Sequence, residues 1–474
     1  MGTSCFIKGI PLHILAEILS WLDTLADICP VIQSHRIFWE AFRIGTHAIA
    51  RNIVARQIPP NMLPFAAALI ESKQIYIGSQ ATVKNVLLRL EARIHDDAAN
   101  DGAFFGRLTL LECASLSRDL SATVILKDDC IWESLAAFTS MFQIEHQANI
   151  SEQEHYRLNR AFLRYQLMCN LFCVASKAGG PREGQENSQR FFATFSPWVN
   201  EQLMCVYVYL ERKITDALDD VAMNDVEWGS SSVDWSEDGS ESSRIQWHLS
   251  RGLPFMLSLL RAKLFHKRRE LLPFHLGKLR REDTEPFYNL MLMLPRDGMS
   301  DILSPESPGD TLRSCSFANI RALSRPSDGT HESGFSTPHK LWAAAHGHQS
   351  VCNISIDAQS LRNHWDCIYL MWDVEEEDRH TLEDKSDNVL YMKPSFHRAH
   401  ESYAVDDVIR SEKQRSYIWL AGGRGYWPFL AKDFSGVSGL SENQKENLLA
   451  RFKSEEEMGV DHAWGQQVTI TEGH

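Results

Sequence analysis

Apolar residues recur at three- and four-residue steps from the start of the chain. Leu12, Ile14, Leu15, Ile18, Leu19, Trp21 and Leu22 give one broad apolar helical face. Pro11 opens it, at a position where a first helical turn tolerates a missing N–H. Asp23-Thr24 interrupts, and a second segment carries Ile28, Val31, Ile32, Phe38, Trp39 and Phe42. Pro30 fits this second helix if Asp27 is its N-cap, because proline then lies in the first turn. The same period predicts helices over 46–57, 64–72, 83–94, 108–126 and 131–142. Ser151 followed by Glu154 forms a capping-box pair. It opens a helix whose stripe is Leu158, Phe162, Tyr165, Met168, Cys169 and Phe172. Further helices are expected over 197–218 and 253–274.

Polar stretches divide these elements. Residues 176–190, with Gly179-Gly180-Pro181, read as a linker. Residues 219–243 are rich in Asp, Glu, Ser and Gly and lack a basic residue, a composition that predicts disorder. Residues 301–340 read as loop or disorder. The Tyr, Ile and Trp content of 365–372 and 416–420 predicts two strands. Gly422-Gly423-Arg424-Gly425 reads as a tight loop, and Ser441 with Gln444 caps a final helix reaching Phe452. The expected fold is mainly α. A helical hook occupies 1–45, an irregular helical region 46–175, a second, interrupted one 191–300, and a small α+β region 341–474.

Composition narrows the function classes. The chain's 474 residues allow several domains, and 44% hydrophobic with 23% charged residues is ordinary for a globular protein. A net charge of −14 argues against a general nucleic-acid binder or an anionic membrane surface. No stretch approaches the length of an apolar membrane span, and the N-terminus lacks signal-peptide character. The ten cysteines are scattered and read as small buried hydrophobes in a reducing compartment, cytoplasmic or nuclear.

The order Ile10-Pro11, Ile14, Ile18, Leu22, Asp27-Ile28, Arg36 and Phe38-Trp39 resembles the F-box, with His13 standing where that motif has an acidic residue. The F-box is a helical hook that docks onto the Skp adaptor of Skp–cullin–F-box (SCF) ubiquitin ligases. Ile58-Pro59-Pro60, the segment Arg160–Phe172, Ser250-Arg251-Gly252-Leu253-Pro254-Phe255 and Trp365–Asp373 resemble landmarks of the F-box proteins of filamentous fungi. The resemblance implies a non-catalytic substrate adaptor that joins an unidentified target protein to Skp and, through it, to a cullin. Ile10, Pro11, Leu12, Ile14, Leu15, Ile18, Leu22, Ile28 and Trp39 would be its Skp-binding residues. An F-box scaffold outside the ligase, or an enzyme with its site in the C-terminal region, are the alternatives.

Other candidate chemistry is thin. The acidic pairs Asp96-Asp97, Asp128-Asp129, Asp219-Asp220 and Asp406-Asp407 would need a shared cleft to act as acid and base. His346-Gly347-His348, flanked by His339 and His364, is the best metal candidate. It lacks the i, i+4 pairing of a zincin helix and is expected to be a loop whose imidazoles are solvated or make local hydrogen bonds. The basic run from Arg261 to Arg281 is expected to match the acidic 219–241 stretch internally or to form a solvated helix face. No cofactor is expected.

Overall fold

The computed structural model describes residues 9–75, 80–95, 104–142, 149–173, 181–230, 243–274, 311–328, 337–349, 358–374, 403–429 and 433–458. These are predominantly helical, with a small two-stranded sheet near the C-terminus. The chain divides into two compact units that interleave in sequence. One comprises Met1–Glu211, Ser243–Ser258 and Leu279–Ser395; the other comprises Arg212–Ser242, Leu259–Lys278 and Phe396–His474.

In the first unit the hook is built from α1 (Leu12–Ser20), α2 (Ile28–Ser34) and α3 (Arg36–Gln57). Leu15, Leu19, Ile28, Ala41, Ile49 and Ile53 form its core. Asp27 precedes α2 as expected, but its carboxylate turns backward, accepting from the Thr24 N–H (2.9 Å) and hydroxyl (2.8 Å). That box closes the 3-10 turn Leu25–Asp27, from which α2 continues with Pro30 in its first turn. The boundary expected at residue 45 falls inside α3, as a kink at Gly45 (φ −116°, ψ 17°). Arg56 then reaches back to the Ser20 and Trp21 carbonyls at 2.7 and 3.0 Å, satisfying acceptors that the end of α1 leaves open.

The helices α4 (Leu63–Lys73), α5 (Gln80–His95), α6 (Leu110–Phe142) and α7 (Glu152–Met168) continue this unit. The hook joins α6 through the Leu25 N–H on Ser117 Oγ (3.3 Å), and through Arg51 on the Leu108 carbonyl (2.8 Å) just before that helix. The Ser151–Glu154 capping box is present at the start of α7. The helix is more than a striped one: Arg157, Arg160 and Arg164 are buried along with its apolar residues. Arg157 donates to the Met371 carbonyl (3.1 Å) and Asp373 (2.7 Å), Arg160 to the Asp328 carbonyl (2.7 Å), and Arg164 to the Val199 carbonyl (2.8 Å). Gln166 accepts from the Leu253 N–H at 2.7 Å, and it lies so close to Gly252 (φ +78°) that a side chain there would collide with it. Buried guanidiniums and an amide thus tie distant segments to one helix, each by bonds that offset the desolvation of a polar group.

Several sequence expectations need correction. Residues 181–190, read as linker, belong to the helix Pro181–Ala193. Residues 219–224 end the helix Pro197–Asn224, and Glu227–Ser230 is a 3-10 turn with Trp228 buried, so this part of the acidic stretch is ordered; 231–242 lie outside the described residues. Asp219 and Asp225 are buried, which local composition did not reveal. Within 301–340, Phe317–Arg321 and the start of Thr337–Ala345 are helical. Neither expected strand forms. Trp365–Trp372 ends the helix Ala358–Asp366 and passes into the 3-10 turn Tyr369–Met371, while Ser416–Leu420 is the last turn of the helix Val405–Leu420. All residues from Trp365 to Trp372 are buried, so their strand-like composition reflects burial on every side rather than a pleat. Ile368 takes φ +45° there, rare for a β-branched residue.

In the second unit, β1 (Arg424–Gly425) pairs antiparallel with β2 (Val437–Ser438). Val226, Ile418, Trp427, Phe434, Val437, Leu448 and Phe452 form the core. Gly229 lies against the Arg415 backbone too closely for any side chain. Ser441 and Gln444 cap the helix Glu442–Met458 as the sequence indicated. Two residues of the basic run meet acidic partners, Arg268 pairing with Asp220 (2.8 Å) and Arg269 with Asp225 and Glu227, while Arg261, Lys263 and Lys267 are exposed.

Candidate functional site

The apolar residues of the hook divide between two faces. Leu15 and Ile28 are 1% and 6% exposed and sit in the hook's own core, so they are not free to touch a partner, contrary to the sequence assignment. Ile10, Leu12 and Leu22 are half-buried against that core. Ile14 and Ile18, one helical turn apart on α1, are 44% and 49% exposed, and Trp21 is 65% exposed. Pro11 is exposed at the start of α1. On α3, Trp39 is 49% exposed, with its ring 6.3 Å from that of the half-buried Phe42. Trp21 is braced by the Arg56 guanidinium, 4.7 Å from its ring. His13 is exposed beside Ile14. Helical geometry explains the division: residues three and four apart share a face, so 15 and 19 point inward while 14 and 18 point outward.

The histidine candidates end up differently from one another. His348 is exposed, whereas His346 is fully buried with a distant partner, correcting the expectation of solvated or locally bonded imidazoles. His346 Nε2 lies 2.8 Å from Glu201 Oε2. The other oxygen of Glu201 accepts from Trp365 Nε1 (2.8 Å) and the Tyr369 hydroxyl (2.6 Å). Burial pushes the Glu201 carboxyl up, but the His346 charge and these donors outweigh it and hold the group below its ordinary range. For His346, burial favours the neutral form, but Glu201 raises its pKa overall. The two form a buried ion pair. His364 packs against Phe142 and Tyr369, and neither of its ring nitrogens has a partner; burial lowers its pKa to about 4. His339 is buried against the Trp198 ring. Among the described residues no three metal-donor side chains come together.

Sequence reasoning missed Glu201. It stands in Asn200-Glu201-Gln202, three buried polar residues inside the apolar run of Pro197–Asn224, and that interruption was the available signal. Among the described residues, three carboxylates of the acidic pairs have partners other than a second acid. Asp129 accepts from the Tyr209 hydroxyl at 2.7 Å, Asp220 pairs with Arg268, and Asp407 pairs with Arg410; Asp96-Asp97 lies outside the described residues. In the loop after Val405–Leu420, Gly422 and Gly425 take φ +95° and +111°, the turn role read from sequence. No helix among the described residues is long and apolar enough to cross a membrane. No family model, curated protein or solved structure matches this chain.

Proposed function

We propose that the hook docks this chain onto the Skp subunit of an SCF ubiquitin ligase and that the chain serves as a non-catalytic substrate adaptor. The observation that supports this reading is the outward apolar run Ile14, Ile18 and Trp21 along α1, with Trp39 also exposed on α3, on a hook whose own core is complete without them. Large apolar side chains gathered at one place on a surface mark an interface. The adaptor acts by proximity: it holds a target near the ligase's partner enzyme and raises the effective concentration of a target lysine. Such a role needs no catalytic group in this chain.

The test is coexpression with the Skp subunit followed by gel filtration. A stoichiometric complex and a higher soluble yield are the expected outcome. Equal solubility with no complex would remove the reading. In the complex, Pro11, Ile14, Ile18, Trp21 and Trp39 are the contacts, and Leu15 and Ile28 act only by holding the hook together.

A further inference from the structure

A groove of about 670 Å³ opens between α4 and the first three turns of α6. Its floor is Leu69, Ile70 and Leu116, all buried, and Ala114 is exposed on its wall. Among the polar residues of its lining, one assembly is built on a buried carboxylate. Lys73 donates to Ser115 Oγ (2.7 Å) and to Asp119 Oδ2, so one of its three N–H donors is not used. The Asp119 side chain is 1% exposed, and its second oxygen, Oδ1, has no hydrogen-bond partner. A buried carboxylate oxygen without a donor is uncommon in a folded protein.

Charge selects the ligand. Lys73 and Arg118 balance Glu112 and Asp119, so the lining is neutral as a whole. Glu112 is already engaged by the Thr109 N–H and hydroxyl, each at 2.7 Å, and by Gln74. An ionised ligand would bring an unbalanced charge into a largely apolar groove, whereas a neutral one would not. The volume suits a small organic molecule.

The geometry points to a binding site for a small uncharged molecule with an apolar body and one hydroxyl, an alcohol or a phenol. The body covers Leu69, Ile70 and Leu116. The hydroxyl oxygen accepts the third N–H of Lys73, and its proton is donated to Asp119 Oδ1. The Lys73 side chain, 27% exposed, lines the groove beside the carboxylate and keeps its bonds to Ser115 and Asp119 Oδ2 as the hydroxyl enters. The site goes beyond the adaptor reading and does not depend on it.

Three probes of one shape test the site on the full chain: 4-ethylphenol, 4-ethylanisole and 4-ethylbenzoate, titrated by calorimetry and followed by saturation-transfer NMR. The phenol should bind about five- to tenfold more tightly than the anisole, the factor of one neutral hydrogen bond, and the benzoate most weakly. Ala114→Trp should fill the groove and abolish binding of all three. Asp119→Asn should bring the phenol down to the level of the anisole while leaving the anisole unchanged. Anisole and phenol binding alike, benzoate binding best, unchanged binding in Ala114→Trp, or no binding at millimolar concentration would each overturn the proposal. Should Asp119→Asn fail to fold, the probe series and Ala114→Trp still decide the matter, because Ala114 is an exposed helical position.

Discussion

The hook and the Glu201 compartment lie in the same unit and carry opposite chemistry in opposite places. The hook leaves Ile14, Ile18 and Trp21 in water, while the compartment takes a carboxylate and an imidazole out of it. Each arrangement carries a cost: exposed apolar area lacks its burial gain, and buried charge loses hydration. The difference lies in how that cost is met. Glu201 meets it inside the fold, with His346, Trp365 and Tyr369. The outward face of the hook has no such answer among the described residues, and a partner that covers it would supply one. Buried polar groups that satisfy one another specify a fold, and apolar groups left outside invite association.

Glu201→Ala should be the most damaging substitution. It strands His346, Trp365 and Tyr369 with no acceptor, and should cost about 3–5 kcal/mol, the scale for removing one partner of a buried pair. Urea unfolding gives the value, and a loss under 1 kcal/mol would show that the compartment admits water. Binding at the hook should be unaffected in any fraction that folds.

Acid attacks the compartment and a second buried histidine together. His364, at about 4, and His248, lowered to about 3 first by burial and then by Arg251 and Arg244, are held neutral in the fold. Their unfolded forms titrate near the ordinary histidine value of about 6.5, so between that pH and the folded values the unfolded chain binds more protons. Stability therefore falls as pH drops below about 6.5, by about 2 kcal/mol for each histidine at pH 5. The raised pKa of His346 acts in the other direction: its contribution is complete below the unfolded value and fades as pH rises through its folded one. Stability should peak near neutrality, and His364→Phe should flatten the acid limb of a urea-midpoint-versus-pH plot. An unchanged limb would place the acid sensitivity elsewhere.

On the hook the expected effect falls on binding. Ile18→Ala should weaken the proposed Skp complex by about 2 kcal/mol, roughly thirtyfold in Kd, while unfolding stability moves by less than about 0.5 kcal/mol. Leu15→Ala should do the reverse, losing about 2–4 kcal/mol of stability from the hook's core. If Ile18→Ala unfolds the hook and Leu15→Ala only weakens binding, the two faces have been exchanged.

The smallest effects discriminate between neighbours. His348→Ala, at an exposed position, should change stability by less than about 0.5 kcal/mol, whereas His346→Ala leaves Glu201 buried without its cation and should cost about 3 kcal/mol or more. His13→Ala should alter Skp affinity by less than about 0.5 kcal/mol. Equal effects at 346 and 348 would contradict the burial that separates them.

What the sequence determined by itself was local. Ser151 with Glu154 and Ser441 with Gln444 formed their capping boxes, Pro30 fell in a first turn, and the 3.6-residue period located α1. Each of these depends on atoms within one helical turn, which fixes the outcome wherever that turn comes to lie. The tertiary structure decided the rest. It paired His346 with a glutamate 145 residues away, buried Asp219 and Asp225 in a stretch that reads as disordered, and surrounded Trp365–Trp372 so fully that a strand-like composition became a helix end and a turn. Composition reports how much a segment can bury, but not which distant segment will bury it. Only the assembled fold sets which side of Ile14 meets water and which acid meets His346.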